Sequence, residues 1–380
     1  MKHPTFRRFG VTVAVGTLAL AAACGSGASS GSDTSKAASI SVSEQDVQSY
    51  LQPDKTLPVS KPVASPIPGG LNVVFIRLAF SQSVSLLNGL KDAAAVLGWR
   101  VTDLVWDVTN PASLSTSFQS AIAQKPDAIV VLGATTDQYA AFIPQARAAN
   151  ISIISTYSPD SPQPGVTPVL TPESEYPYHA QILTDTLLLD AKKAGDTPHV
   201  LQLRIPAQDN YTKWINDGVV NELKAKCSGC TRDELDIEQA DLFNGQYTQQ
   251  VVSYLQRHPA IKYIIANGGQ TANGLPEALA AAGLNDVKIY GVTATDVQIK
   301  KLADGSPGAW TVQPFRVGGW IVADQIARVK TGDATDLWSN EHMGYVVTSQ
   351  NASQLQNPAD PAFPADYQQQ FKRLWGKATS

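Results

Sequence analysis

Residues 72–101 read NVVFIRLAFSQSVSLLNGLKDAAAVLGWRV, and this stretch decides the fold. It opens on an unbroken apolar run, Val73, Val74, Phe75 and Ile76. Such a run suits a strand covered on both faces, as in a parallel sheet. A polar loop follows at Phe80, Ser81, Gln82 and Ser83. Leu86, Leu87, Leu90, Ala93, Ala94 and Leu97 then recur at helical spacing. Gly98 ends that helix, and Trp99, Arg100 and Val101 begin another strand. Strand, loop, helix and strand make the unit of a doubly wound α/β sheet. Ligands bind such sheets beyond the carboxyl ends of their strands, which makes the loop at Phe80 the first candidate site.

The same theme repeats outward from this unit. Strands are expected at 101–106, 128–132 and 151–155, with helices at 113–124 and 139–149 between them. A second series begins with a long helix at 178–194. Strands at 199–203, 234–240, 263–266 and 287–292 then alternate with helices at 212–225, 247–258 and 275–282. A short helix at 297–302, a strand at 309–313 and a helix at 317–330 close it. Two tandem halves, roughly 71–158 and 198–296, thus share one plan. Short connections predict parallel strands with right-handed crossovers.

The chain has 380 residues, 43% of them apolar, enough for two domains with sizeable cores. A net charge of -4 is too weak to point to nucleic acid or a membrane surface.

The amino terminus reads as a targeting segment, residues 1–23. Lys2, Arg7 and Arg8 precede an uncharged apolar stretch at 11–23. That stretch is shorter than the ~20 residues a membrane span needs, so it reads as a signal peptide. Ala21, Ala22, Ala23 and Cys24 resemble the lipobox of bacterial lipoproteins, which implies lipidation of Cys24. The family prefers leucine where Ala21 stands. Residues 24–70 read as tether and linker, first Gly/Ser-rich and later proline-rich, with a short helix at 43–51 capped by Ser43. Cys227 and Cys230 are spaced as a redox pair, a zinc half-site or a structural disulfide. They follow a helix rather than lead into one, and no second ligand pair completes a zinc site. A disulfide clip at the end of that helix is the expectation, and neither metal nor cofactor is expected.

The order and spacing of these units resemble the ribose-binding, type I class of bacterial substrate-binding proteins. The residues that carry the likeness are Leu90 to Ala94 with Leu97, Gly98 and Trp99; Pro126 to Val131; the helix before Ile151 to Ile154; and Asp304, Gly305 and Trp310 to Pro314. The resemblance covers about 71–350. It implies two doubly wound parallel-sheet lobes joined by a hinge. The first lobe would take 71–158 plus about 314–345, and the second 159–313. Residues 346–380 would form a tail whose helix buries Phe371 and Trp375.

The resemblance also implies lobe closure on a ligand held by strand-end loops of both lobes. The first lobe would offer Phe80, Ser81, Gln82, Trp106, Asp107, Thr135 and Tyr157, with Phe80 to Gln82 facing Trp214 across the cleft. The second would offer Gln208, Asn210, Trp214, Asn267, Gln270, Thr293 and Asp296, and Gln313 and Phe315 lie at the crossover. Residue by residue the match to sugar binders is thin. Tyr157 and Ser158 stand where they carry Asp-Arg, Ile215 replaces an arginine, and Thr293 replaces an aspartate. Gln313 matches. With most sugar-gripping charges missing, the candidate ligands are sugars and polyols, aromatic or other neutral metabolites, nucleosides and signalling molecules. The implied partners are the permease and ATPase of an ABC importer, and the implied state is a monomer lipid-anchored on the outer face of the cell membrane. Presentation of ligand to a membrane receptor kinase is the alternative. Enzyme motifs are missing from the sequence: there is no Gly-x-Ser-x-Gly, His-Glu-x-x-His or phosphate loop. A regulator of this fold would carry a helix-turn-helix where this chain has its signal and tether.

Overall fold

The computed structural model describes residues 39–377 apart from 159, 161, 162 and 340. The targeting segment and Cys24 lie outside the described residues.

In the first lobe, β1 (Asn72–Arg77), α2 (Ser81–Leu97), β2 (Arg100–Val105), α3 (Pro111–Ala123) and β3 (Ala128–Leu132) follow the helix α1 (Glu44–Tyr50). Next come α4 (Thr136–Tyr139), α5 (Ile143–Ala148), β4 (Ser152–Thr156) and β5 (Val166–Val169). These strands form one parallel sheet in the order β2-β1-β3-β4-β5. Alternate residues face opposite layers. Val73, Phe75 and Val130 pack under α2, whereas Val74, Ile76, Ile129 and Val131 pack with Phe118 and Tyr139 on the other face.

The second lobe holds α6 (Pro172–Ala194), β6 (His199–Arg204), α7 (Asp209–Lys226), β7 (Thr231–Asp236), α8 (Gln239–Asn244) and α9 (Tyr247–Arg257). It continues with β8 (Tyr263–Ala266), α10 (Leu275–Ala281), β9 (Lys288–Gly291), α11 (Asp296–Ala303) and β10 (Gly308–Val312). The chain then returns to the first lobe as α12 (Phe315–Thr331), adds β11 (Tyr345–Val347) to the second sheet, and ends with α13 (Tyr367–Leu374). The second sheet runs β11-β10-β9-β8-β6-β7, parallel except for β11, which pairs antiparallel with β10. The expected two-lobe, doubly wound α/β architecture is present.

Several local expectations change. The first sheet continues past the break expected at 158, because β5 extends its edge; Pro168 is tolerated there as in other edge strands. The helix expected at 139–149 is broken into α4, a 3-10 turn at Ala140–Phe142 and α5. Pro144 sits in the first turn of α5, where its missing N–H costs nothing. Conversely, α6 begins at Pro172 and runs through Pro177, six residues before the expected start. Helix α7 likewise begins at Asp209 and β7 ends at Asp236.

From residue 39 on, the expected linker is a docked strap. Ile40 bridges to Cys227, Tyr50 donates to Asp185 Oδ2 at 3.1 Å, and Lys192 Nζ donates to the Val42 carbonyl at 2.9 Å, all on the second lobe. Further on, the Lys61 carbonyl accepts from Arg328 and the Pro68 carbonyl from Trp99, both on the first lobe. Val42, Val47, Leu51, Leu57 and Val59 bury their side chains along the way, which offsets the entropy of ordering the strap. Cys227 and Cys230 are joined by a disulfide at the end of α7.

Helix α12 fixes itself to the first lobe by close approach to α2. A Cβ on Gly319 would lie 2.2 Å from the Leu86 carbonyl oxygen, and one on Gly89 would lie 1.8 Å from the Arg316 carbonyl oxygen. Only glycine lets the two backbones meet at this distance.

Candidate ligand cleft

Every loop expected to bind ligand follows the carboxyl end of a strand, and the structure brings the two sets of strand ends together. Among the described residues, two side-chain hydrogen bonds join the lobes there. Tyr211, in the first turns of α7, donates its hydroxyl to the Tyr157 carbonyl at 2.5 Å. Gln270 Nε2 donates to Gln82 Oε1 at 2.9 Å. Gln82 therefore meets Gln270, while Trp214 lies beneath the Lys213 ammonium, 4.4 Å from its ring centroid.

At the base of the cleft, where β10 passes to α12, Gln313 is buried. Its Nε2 donates to Glu175 Oε2 at 3.2 Å, and its Oε1 accepts from Thr293 Oγ1 at 3.0 Å. Tyr157 is also buried and packs on Phe315 with ring centroids 5.6 Å apart. Tyr176 and Tyr211 meet edge to face at 5.7 Å. Burial, then the charge of Glu175, pushes the Tyr157 phenol well above its ordinary value. Burial does the same for Tyr176 and Tyr211. These phenols are therefore neutral hydrogen-bond donors across the physiological range.

Three residues here hold left-handed backbone without being glycine: Tyr157 (φ 48°), Leu170 (φ 52°) and Thr293 (φ 54°). Such conformations cost about 1–3 kcal/mol each and persist where surrounding structure imposes them, commonly at ligand sites. Asn267, after β8, donates to Thr212 Oγ1 at 3.0 Å, yet its Oδ1 is buried without a hydrogen-bond partner. A buried acceptor left open in this way is a place for a ligand donor.

Other expected residues sit elsewhere or are engaged locally. Trp106 is core: it is 2% exposed, and its Nε1 donates to the Leu132 carbonyl at 3.2 Å, so its ring faces the first lobe's interior. Asp107 is exposed and accepts from the Thr109 N–H and hydroxyl, both at 2.8 Å, which lowers its pKa and closes its own turn. Thr135 and Gln138 form a capping box on α4. Asp296 pairs with Lys300 one turn along α11 at 3.0 Å. Phe80 is half-buried against the core, and the Ser81 hydroxyl donates to its neighbour Gln82. Gln208 stands at the N-cap position of α7 without a side-chain capping bond; Asn210 follows in the first turn, its side chain outside the described residues.

The sequence reading missed Glu175, Tyr176 and Tyr211, because they belong to the starts of α6 and α7 rather than to strand-end loops. Thr171, Pro172 and Glu173 form a helix-start pattern that signals the earlier beginning of α6. Asp160 was missed too; it accepts from the Thr136 N–H at 2.7 Å and from Ser158, and its charge adds to the raised pKa of Tyr211.

Behind Glu175 lies a second polar group. His179 Nε2 is 3.5 Å from Glu175 Oε2. Tyr178 stacks on His342 at 3.8 Å, and the Gly344 N–H donates to Asp54 Oδ2 at 3.3 Å. The strap, α6 and the segment between α12 and β11 thus meet beside the lobe crossover. Burial lowers the His342 pKa and raises that of Asp54. A cavity of about 460 Å³ opens elsewhere, between α10 and α11 over Trp310, and none of the expected ligand residues lines it.

Residues 79–334 match the family described as periplasmic binding protein domain. The chain belongs to this family. Its fold is shared with solved periplasmic binding proteins at low sequence identity. A sugar ABC transporter protein from Yersinia enterocolitica superposes with a TM-score of 0.64 at 16% identity, covering 85% of this chain and 99% of that one. A periplasmic ribose ABC transporter protein from Conexibacter woesei gives 0.63 at 16% identity, covering 77% and 96%. A 5-methylthioribose transporter solute-binding protein from Thermotoga lettingae, in complex with 5-methylthioribose, gives 0.62 at 16% identity, covering 83% and 95%. No curated protein matches the chain. Among the described residues no helix is long and apolar enough to cross a membrane, and no cluster of His, Cys, Asp and Glu is arranged to hold a metal ion.

Proposed function

We propose that this periplasmic binding protein captures a small organic solute outside the cytoplasm and delivers it to an ABC importer. The observation that carries the reading is the interlobe contact. Strand ends of two separate sheets meet through Tyr211 and Tyr157 and through Gln270 and Gln82. Lobes joined by few, exchangeable bonds can open to admit a ligand and be held shut by it. Membership of the periplasmic binding protein family supports the same use. Lipidation of Cys24 would tether the protein at the membrane beside its permease. Labelled palmitate incorporated into the wild type and not into Cys24→Ser checks that step.

The ligand contacts in this reading are Tyr157, Phe315, Gln313, Thr293, Asn267, Gln82 and Gln270. A thermal-shift screen over sugars, polyols, nucleosides, aromatic acids and amines tests the function. A binder raises the melting temperature in proportion to the logarithm of its concentration, and silence across all classes counts against solute capture. Replacing Tyr157 by alanine should weaken binding by about tenfold or more, since aromatic anchors dominate such contacts. Early unfolding with affinity intact would instead make Tyr157 a packing residue.

A further inference from the structure

Resting on that reading, we propose that the cleft selects a small organic cation, an amine or quaternary ammonium on an apolar body, with Glu175 as its counter-charge and the cleft aromatics as its walls. The argument starts from charge. Two carboxylates lie near the cleft tyrosines: after burial, the charge of Glu175 adds to the raised pKa of Tyr157 and Tyr176, and that of Asp160 to the raised pKa of Tyr211. Among the described residues neither carboxylate pairs with a lysine or arginine.

The basic side chains near the strand ends are spent elsewhere. Arg77 is bonded through two nitrogens to Asp103, both at 2.8 Å. Arg316 binds Asp92 and Asp360. Lys213 pairs with Asp217 at 2.7 Å, and Arg204 with Glu234 at 2.6 Å. The arginine and aspartate pattern that resemblance to sugar binders would require is replaced by an excess of negative charge.

Glu175 is 2% exposed. It lies in the first turn of α6, where the helix dipole favours an ionised carboxylate. Its Oε2 accepts from the neutral amide of Gln313 at 3.2 Å, and the His179 ring, an ion-pair partner only when protonated, lies 3.5 Å away. Buried carboxylates are ordinarily paired, so this one has capacity for a cationic partner. The walls suit the same ligand. Tyr157 packs on Phe315 in the first lobe and Tyr176 meets Tyr211 edge to face in the second, so each lobe carries an aromatic pair. Aromatic faces attract a cation through their quadrupole and cover its apolar substituents.

The test uses the mature protein and matched pairs of probes that differ in charge alone: choline against 3,3-dimethylbutan-1-ol, and phenethylamine against phenethyl alcohol. D-ribose and myo-inositol serve as neutral polar references. Calorimetric titration should show the charged member of a pair binding at least about tenfold tighter than its neutral partner. Glu175→Gln should weaken that binding about 10- to 100-fold. Tyr176→Leu, which keeps an apolar wall and removes the π face, should weaken it about 3- to 30-fold.

If the sugars or the neutral members bind and the cations do not, the cation assignment is overturned while solute capture stands. Silence from every probe, together with silence in the broader solute screen, overturns both. A Glu175→Gln protein with an unchanged circular dichroism spectrum and unchanged cation affinity removes Glu175 from the role. Where that variant fails to fold, Tyr176→Leu with undiminished cation affinity overturns the proposal.

Discussion

Two buried acids on opposite sides of the lobe crossover show how the molecule divides its work. Asp324, on α12, is fully buried and accepts three hydrogen bonds: from Arg328 Nε at 2.7 Å, and from Trp338 Nε1 and Trp375 Nε1, both at 2.8 Å. Glu175, on α6, is 2% exposed and accepts the Gln313 amide at 3.2 Å, with the His179 ring 3.5 Å away and no lysine or arginine paired to it among the described residues. Around Asp324 the aromatic rings interlock, with Trp320 and Trp375 parallel at 5.3 Å and Phe371 tilted against both. Around Glu175 the aromatics come from both lobes, Tyr157 on Phe315 in the first and Tyr176 against Tyr211 in the second, and the Tyr211 hydroxyl reaches across to the Tyr157 carbonyl. A saturated acid anchors the structure. An unsaturated one is available to something that arrives later.

The contrast breaks most visibly at the anchor. Asp324→Ala should cost about 3–5 kcal/mol, because it removes the nearer counter-charge of the buried Arg328 guanidinium, leaving Asp333 at 3.7 Å, and the acceptor of two tryptophans. Urea melts read the loss, and limited proteolysis should show the tail beyond residue 348 released first. A loss below about 1 kcal/mol would put Asp324 on the same footing as an exposed ion pair and dissolve the distinction.

The same contrast explains what could be read in the sequence. Apolar strands such as Val73 to Ile76 and Ala128 to Leu132 announce themselves, since burial on both faces leaves no choice of residue. The tail helix was legible for the same reason, through Phe371 and Trp375. Strand β5 was not, because Pro168 interrupts it and its pairing depends on β4 being in place. The strap was read as linker from its prolines, although Leu57 and Val59 carry the apolar surface that docks it.

At the cleft, position after a strand put Tyr157, Gln313 and Thr293 beside the lobe crossover, where the structure also has them. It misled for Trp106, whose indole turns inward to a backbone acceptor. It was silent on Glu175 and Tyr211, which the crossover and interlobe packing deliver from helix starts. Pro177 hid that start by suggesting a boundary where α6 in fact continues.

A smaller effect should come from the polar group behind Glu175. The His342 ring is buried against Tyr178, with His179, Glu175, Asp54 and Glu341 around it, and burial holds its folded pKa below the ordinary 6.5. The unfolded chain then takes up a proton that the folded chain refuses. The stability contributed by this site is complete above pH 6.5 and is lost as pH falls from there towards the folded value. Melting temperatures measured between about pH 7.5 and about pH 5.5 should fall, and His342→Gln should flatten the slope. Asp54 acts in the opposite sense at more acid pH, since its folded pKa is raised above 3.8. An unchanged slope in His342→Gln would place the titration elsewhere.

The smallest expected effect sharpens the comparison most, because it isolates the exchangeable side of the crossover. Tyr211→Phe keeps the ring and its edge-to-face contact with Tyr176 but deletes the hydroxyl that reaches the Tyr157 carbonyl. A neutral hydrogen bond of this kind contributes about 0.5–1.5 kcal/mol net. Global stability should change by no more than that, because each lobe keeps its own core. The closed state, however, loses one of two side-chain bonds identified between the strand ends, so its population should drop by up to about tenfold. Small-angle scattering of the ligand-free protein should therefore report a larger radius of gyration for the variant, with an unchanged melt. A drop in stability without expansion would show that Tyr211 belongs with Asp324 among the anchors, and that closure is set by the hinge alone.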